Sequence, residues 1–177
     1  MRQASIPPVS RRGSEDDATG DEGSTDAPSL QELYGRPGFM LRRAHQIAVA
    51  VFLDETIENI TTSQYGALFV LAKVDSLDII GLGRRLGMDR STSALVVSKL
   101  EAAGWVVMET NAQDRRRKAL RLTKAGRAVL EALSAPAQKA REKLLSAFTP
   151  TEAEDFLKLL EKLVTTFNGA IRSPIVG

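Results

Sequence analysis

The sequence predicts a mainly α-helical chain carrying one small β-hairpin, and three observations predict it. Apolar residues recur through most of the chain at the three- and four-residue spacing of amphipathic helices. Two of these periodic segments, residues 78–86 and 90–103, are separated by only a few residues, so they must cross steeply, as in a helix-turn-helix. Two β-like runs, 105–110 and 119–122, then follow at once, joined by the charged loop 111–118. The fold class expected is therefore a winged helix-turn-helix combined with a helical dimerisation region.

Each element has a local reason. Residues 1–30 combine Pro, Gly, Ser, Thr and acids with few apolar anchors, and are expected to form a disordered tail. A helix over 37–57 carries two apolar stripes, Met40, Ala44, Ile47 and Val51 on one and Leu41, Ala48 and Phe52 on the other, so it needs cover on two sides. Thr61 with Gln64 forms a capping box, and Tyr65, Leu68, Phe69 and Leu71 bury the helix it opens. Ile79, Leu82 and Leu86 form one apolar face, and Gly87 supplies the turn that ends it. Asp89 caps the next helix, which Leu95, Val96 and Leu100 are expected to bury until Gly104 stops it.

Beyond the hairpin, Thr123 opens a long helix with Val129, Leu130, Leu133, Ala140 and Leu144 inward. Pro136 lacks an amide hydrogen and predicts a kink near Ser134. A second capping box, Thr149 with Glu152 and Pro150 at the first helical position, starts a last helix striped with Phe156, Leu160, Leu163 and Phe167, with Leu157 and Val164 beside them.

Charge is unevenly spread. The net charge is +2, but residues 84–127 hold eleven cations against four acids, the footprint of a nucleic-acid-binding face. Arg90, Ser91, Thr92 and Ser93 at the helix start, with Ser98 and Lys99 farther along, are donors of the kind that reach phosphates and base edges in a major groove. In the loop, Asp114 is followed by the cations Arg115, Arg116, Arg117 and Lys118, which suit phosphate contact. A solvated helix start and a solvated loop are the ordinary readings of either feature alone. Their order and spacing favour double-stranded DNA.

Catalytic chemistry finds little footing. Cysteine is absent, His45 is the only histidine, and no spaced metal-ligand cluster or phosphate loop appears; Gly81-Leu82-Gly83 lacks the later glycine of a dinucleotide fingerprint. No enzyme activity, cofactor or metal is expected. The longest apolar run, residues 47–53, is far below the roughly 20 residues of a membrane span, and residues 1–23 lack the apolar region of a signal peptide. The expected location is cytoplasmic, on the nucleoid.

The run from Asp89 to Thr92, then Lys99-Leu100-Glu101-Ala102-Ala103-Gly104-Trp105-Val106, then Asp114 through Gly126, resembles the MarR family of bacterial winged-helix regulators over residues 37–167. The resemblance implies an obligate homodimer on a pseudo-palindromic operator, with Asp114 and Arg116 as the wing pair and residues 90–93 as base readers. It divides the chain into a tail (1–30), an N-terminal dimerisation helix (31–60), the DNA-binding domain (61–123) and C-terminal dimerisation helices (124–177).

Without cysteine, the thiol-based peroxide sensing of some relatives is excluded. Residues 35–46 are also similar to members that control aromatic-acid catabolism, some responding to hydroxycinnamoyl-CoA thioesters. By that likeness Arg36, Arg42 and Arg43 would pair with carboxylate or phosphate, with His45 beside them and Met40, Tyr65 and Phe69 as apolar wall. The function expected is a repressor released by an aromatic acid or aromatic acyl-CoA effector. The alternatives are a ligand-independent or activating regulator, and a helical interaction module whose basic hairpin meets an acidic partner protein.

Overall fold

The computed structural model describes residues 29–56, 60–74, 77–110, 118–170 and 174–175. The tail over residues 1–28 and the wing tip over 111–117, with Asp114, Arg115, Arg116 and Arg117, lie outside the described residues. Among the described residues, eight α-helices and two strands run in the order α1 (Leu30–Gly35), α2 (Pro37–Glu55), α3 (Thr62–Lys73), α4 (Ile79–Leu86), α5 (Arg90–Ala102), β1 (Val106–Thr110), β2 (Lys118–Leu122), α6 (Lys124–Ala132), α7 (Ser134–Leu145) and α8 (Pro150–Phe167), followed by one 3₁₀ turn, Asn168–Ala170.

Local chemistry starts most of these helices. Ser29, Thr61 and Thr149 each accept from the backbone N–H three residues on, while Glu32, Gln64 and Glu152 accept from the cap's own N–H. Asp78, Asp89 and Thr123 cap α4, α5 and α6 through one side-chain oxygen each. The helix α1, with its Ser29-to-Glu32 box, begins inside the segment that the sequence assigns to the tail, which ends at residue 30.

The core joins α3, α4, α5, the hairpin and α6. Leu68, Leu82, Val97, Leu100 and Leu120 are fully buried within it. The strands pair antiparallel from Val106 opposite Leu122 to Thr110 opposite Lys118, and the Leu120 N–H donates to the Leu77 carbonyl at 2.7 Å, tying the hairpin to the start of α4. The chain also passes close to itself at Gly126. A Cβ there would collide with the Trp105 carbonyl, and Thr123 Oγ1 ties the same turn by donating to the Gly104 carbonyl at 2.8 Å.

The long helix expected after the hairpin is broken at Leu133 into α6 and α7, one residue from the kink expected at Ser134, because Pro136 cannot donate within the turn that would join them. Leu133 is buried at this break. The helix α7 packs along α2, and Lys143 bridges to Asp54 at 2.5 Å and to Glu55 at 2.7 Å. These hydrogen bonds hold the Asp54 carboxyl below its ordinary range and push the Lys143 ammonium up.

On α2 burial follows position along the helix and cuts across the two predicted stripes: Ala48 and Val51 are half-buried and Phe52 buried, whereas Met40, Leu41, Ala44 and Ile47 stay exposed. The helix α8 buries no residue, and Leu157, Leu159, Leu163, Val164 and Phe167 are exposed along it. Of its apolar side chains, Phe156 stacks on Phe148, with centroids 5.0 Å apart.

Candidate nucleic-acid interface

The geometry of the interface is set by how α4 turns into α5. Gly87 takes the left-handed conformation, φ 64°, that ends α4, and the Met88 N–H donates back to the Gly83 carbonyl at 2.9 Å. Asp89 then fixes the first turn of α5: its Oδ1 accepts from the Thr92 N–H at 2.8 Å and from Ser91 Oγ at 2.7 Å. The same hydrogen bonds, the Thr92 backbone first, hold the Asp89 carboxyl below its ordinary range, so it stays ionised and the cap stays closed at neutral pH.

Steric fit decides which face of α5 turns inward. A Cβ on Gly83 would collide with Ser93 Oγ and crowd the Met88 carbonyl, so this glycine lets α4 and α5 approach closely. Ser93 is consequently fully buried and donates to the Asp89 carbonyl at 2.7 Å. Its assignment as a DNA contact is corrected on this ground, since a side chain sealed beneath α4 reaches neither phosphate nor base. Val96, Val97 and Leu100 complete the buried side.

Leu95 is the opposite correction. Expected in the core, it is 59% exposed, and Val97 takes its place. Arg90, Ser91, Thr92, Ser98 and Lys99 are exposed as predicted. Exposed Lys118 sits opposite Thr110 at the loop end of the hairpin, and Arg121 pairs with Glu109 across the strands at 3.2 Å.

Two cavities lie behind this surface. An open one of about 600 Å³ between α2, α3 and α7 is lined by Ala48, Phe52, Tyr65, Gln138, Arg141 and Leu144, among others. A second, of about 350 Å³ between α3 and α6, is lined by Tyr65, Phe69, Lys73, Arg127 and Leu130, among others. Tyr65 and Ser134 line both.

The structure therefore brings together only part of the predicted ligand set. Tyr65 and Phe69 line cavities, whereas Arg36, Met40, Arg42, Arg43 and His45 line neither of these two. Arg42 instead lies over the Phe39 ring at 5.3 Å, and Arg43 donates to Gln46 at 3.4 Å. The cavity cations Lys73, Arg127 and Arg141 were missed. Arg141 had a legible signal, because it interrupts the stripe Ala137, Ala140 and Leu144.

Residues 58–117, which span α3 to the wing, match a model of the MarR family. Over 133 residues the chain is 30% identical to a putative transcriptional regulatory protein for the hcr operon of Thauera aromatica, covering 74% of this chain and 80% of that protein. The chain belongs to the MarR family. It is a transcriptional regulator with the winged-helix, DNA-binding fold of that family, and not an enzyme.

Two solved MarR-family neighbours extend the comparison. The PcaV regulator of Streptomyces coelicolor, solved with its natural ligand, is 30% identical with a TM-score of 0.71 over 80% of this chain and 98% of that one. BpsR of Bordetella bronchiseptica, whose DNA binding is regulated by 6-hydroxynicotinic acid, is 25% identical with a TM-score of 0.69 over 73% of this chain and 94% of that one. Among the described residues, no helix is long and apolar enough to cross a membrane, and no three His, Cys, Asp or Glu are grouped to hold a metal ion.

Proposed function

We propose that the chain is a homodimeric repressor that grips a pseudo-palindromic operator through α5 and the wing, and lets go when an aromatic acid enters the space behind α3. The observation that carries the reading is the exposed side of α5. Its first turn is fixed by Asp89, and it offers Arg90, Ser91, Ser98 and Lys99 outward on a helix whose other side is locked into the core. A helix so presented fits a major groove. In this reading the wing cations Arg115, Arg116, Arg117 and Lys118 hold phosphates.

The second subunit is supported by what this one leaves bare. Leu30, Leu33 and Tyr34 on α1, Met40 and Ile47 on α2, and the α8 stripe are large apolar side chains exposed to water, as expected of surface that a partner covers. A second copy covers it, and the dimer places two α5 helices on half-sites about one DNA turn apart.

For the effector, the larger cavity has Phe52 and Tyr65 to flank a ring and Arg141 to pair with a carboxylate, and its volume falls in the usual range for small ligands. BpsR, whose DNA binding is regulated by 6-hydroxynicotinic acid, supports the same class, and PcaV, solved with its natural ligand, supports a bound effector. An acyl-CoA thioester would leave its nucleotide outside so small a space, so the free acid is the better fit.

The test combines fluorescence anisotropy on duplexes from the chain's own promoter region, light scattering, and calorimetry with 6-hydroxynicotinate, protocatechuate, 4-hydroxycinnamate and 4-hydroxycinnamoyl-CoA. The expected results are a dimer, selective duplex binding that falls steeply with salt, and binding of at least one free acid that releases DNA. A monomer indifferent to duplex sequence would overturn the repressor reading. Silence from every acid would overturn the effector.

A further inference from the structure

On the exposed side of α5 one residue does not look like a groove reader. Leu95 is 59% exposed and lies directly opposite the buried Val97 and Leu100 side of the helix, between Ser91 and Ser98 one turn to either side. Two neighbouring groups have limited reading capacity. The Ser91 hydroxyl already donates to Asp89 Oδ1 at 2.7 Å, so it can only accept from a base, and Ala94 offers only a methyl group. The middle of the reading surface is thus apolar, within a surface otherwise made of hydroxyls and cations.

Only one base carries an apolar group into the major groove, and that is thymine through its C5-methyl. We infer that Leu95 is a specificity determinant that packs on a thymine methyl in each operator half-site. The inference rests on the proposal that α5 enters the major groove. It assigns the central position of the contact to hydrophobic burial, leaving the flanking positions to hydrogen bonds and phosphate contacts.

The experiment first selects a preferred duplex for the purified full chain from a randomised pool. Each thymine of that site is then replaced, symmetrically in both half-sites, by deoxyuridine, which removes the methyl and leaves every hydrogen-bonding group. Affinities are measured for the natural chain and for Leu95→Ala, a substitution at an exposed helical position where alanine keeps helix propensity.

At one symmetric thymine pair the natural chain is expected to lose about fourfold for each methyl removed, while Leu95→Ala binds thymine and uracil duplexes alike. Deoxyuridine brominated at C5, whose bromine fills the methyl's volume, should restore the natural chain's affinity. If no thymine shows this coupling, or if Leu95→Ala keeps the same sensitivity, the assignment of Leu95 is overturned while DNA reading by α5 stands. If selection yields no preferred duplex, the reading of α5 itself is overturned.

Discussion

At the scale of single residues, two glycines carry contrasting weight. Gly126 lies against the Trp105 carbonyl, a backbone atom that cannot swing away, whereas Gly35 has no atom within 4 Å of where a Cβ would stand. Gly126→Ala is expected to cost about 1–3 kcal/mol and lower the melting temperature by several degrees, and Gly35→Ala to change it little. Thermal unfolding followed by circular dichroism checks both. Arg116→Ala, in the wing, is expected to weaken binding to every duplex and to reduce the salt slope by about one, whereas Ser98→Ala should shift preference among sequences. Which side chains faced inward on α5 was the least legible feature of the sequence. A stripe of Leu95, Val96 and Leu100 is as good a helical face as Ser93, Val96, Val97 and Leu100. The choice was made by Gly83, which admits Ser93 beneath α4, and that contact depends on two helices already being crossed.

At the scale of elements, helix starts and turns were readable because their chemistry is local. The boxes at Thr61 and Thr149, the caps at Asp89 and Thr123, and the turn at Gly87 each need only neighbours within three or four residues; the cap at Asp78, equally local, was passed over. The cavity walls were not readable, because Tyr65 and Arg141 come from helices far apart in sequence and meet only through packing. The clamp between α2 and α7 likewise joins residues nearly ninety positions apart, and it makes a prediction about pH. The folded-state pKa of Asp54 is depressed below its ordinary 3.8 by Lys143, so its contribution is present above that value and lost as pH falls through the depressed one. Lys143 is raised, so its own contribution is present at and below its ordinary 10.5 and lost only in stronger alkali. Acid unfolding should therefore show, beyond the loss common to caps such as Asp89, an extra loss of stability below about pH 4 in the natural chain that Lys143→Met lacks. Equal acid sensitivity of the two proteins would remove the clamp from the account.

At the scale of the whole molecule, the exposed apolar surface of α8 is where the proposed dimer is put to the test. Because Leu163 and Phe167 are exposed within one chain, replacing both with glutamate should leave the secondary structure intact. The expected outcome is a monomer by light scattering, with operator affinity reduced by orders of magnitude and the residual binding less selective. A variant that remains dimeric would move the interface off α8. From the sequence a dimer is an expectation: the last stripe pairs with the first helix and its mate in a second subunit, because a two-fold protein reads two half-sites whereas a single winged helix binds weakly. The break at Leu133 has a wider bearing. On one side of it α6 packs against α3 and β2, and on the other α7 packs along α2. Ser134, first in the second segment, forms part of the wall of both cavities. With an imino acid two residues on, the backbone at this elbow lacks a rung that a continuous rod would have, so it bends at low cost. In the proposed dimer, a guest molecule wedged against Ser134 would work like a shim in a caliper, its thickness altering how far apart the two jaws are set.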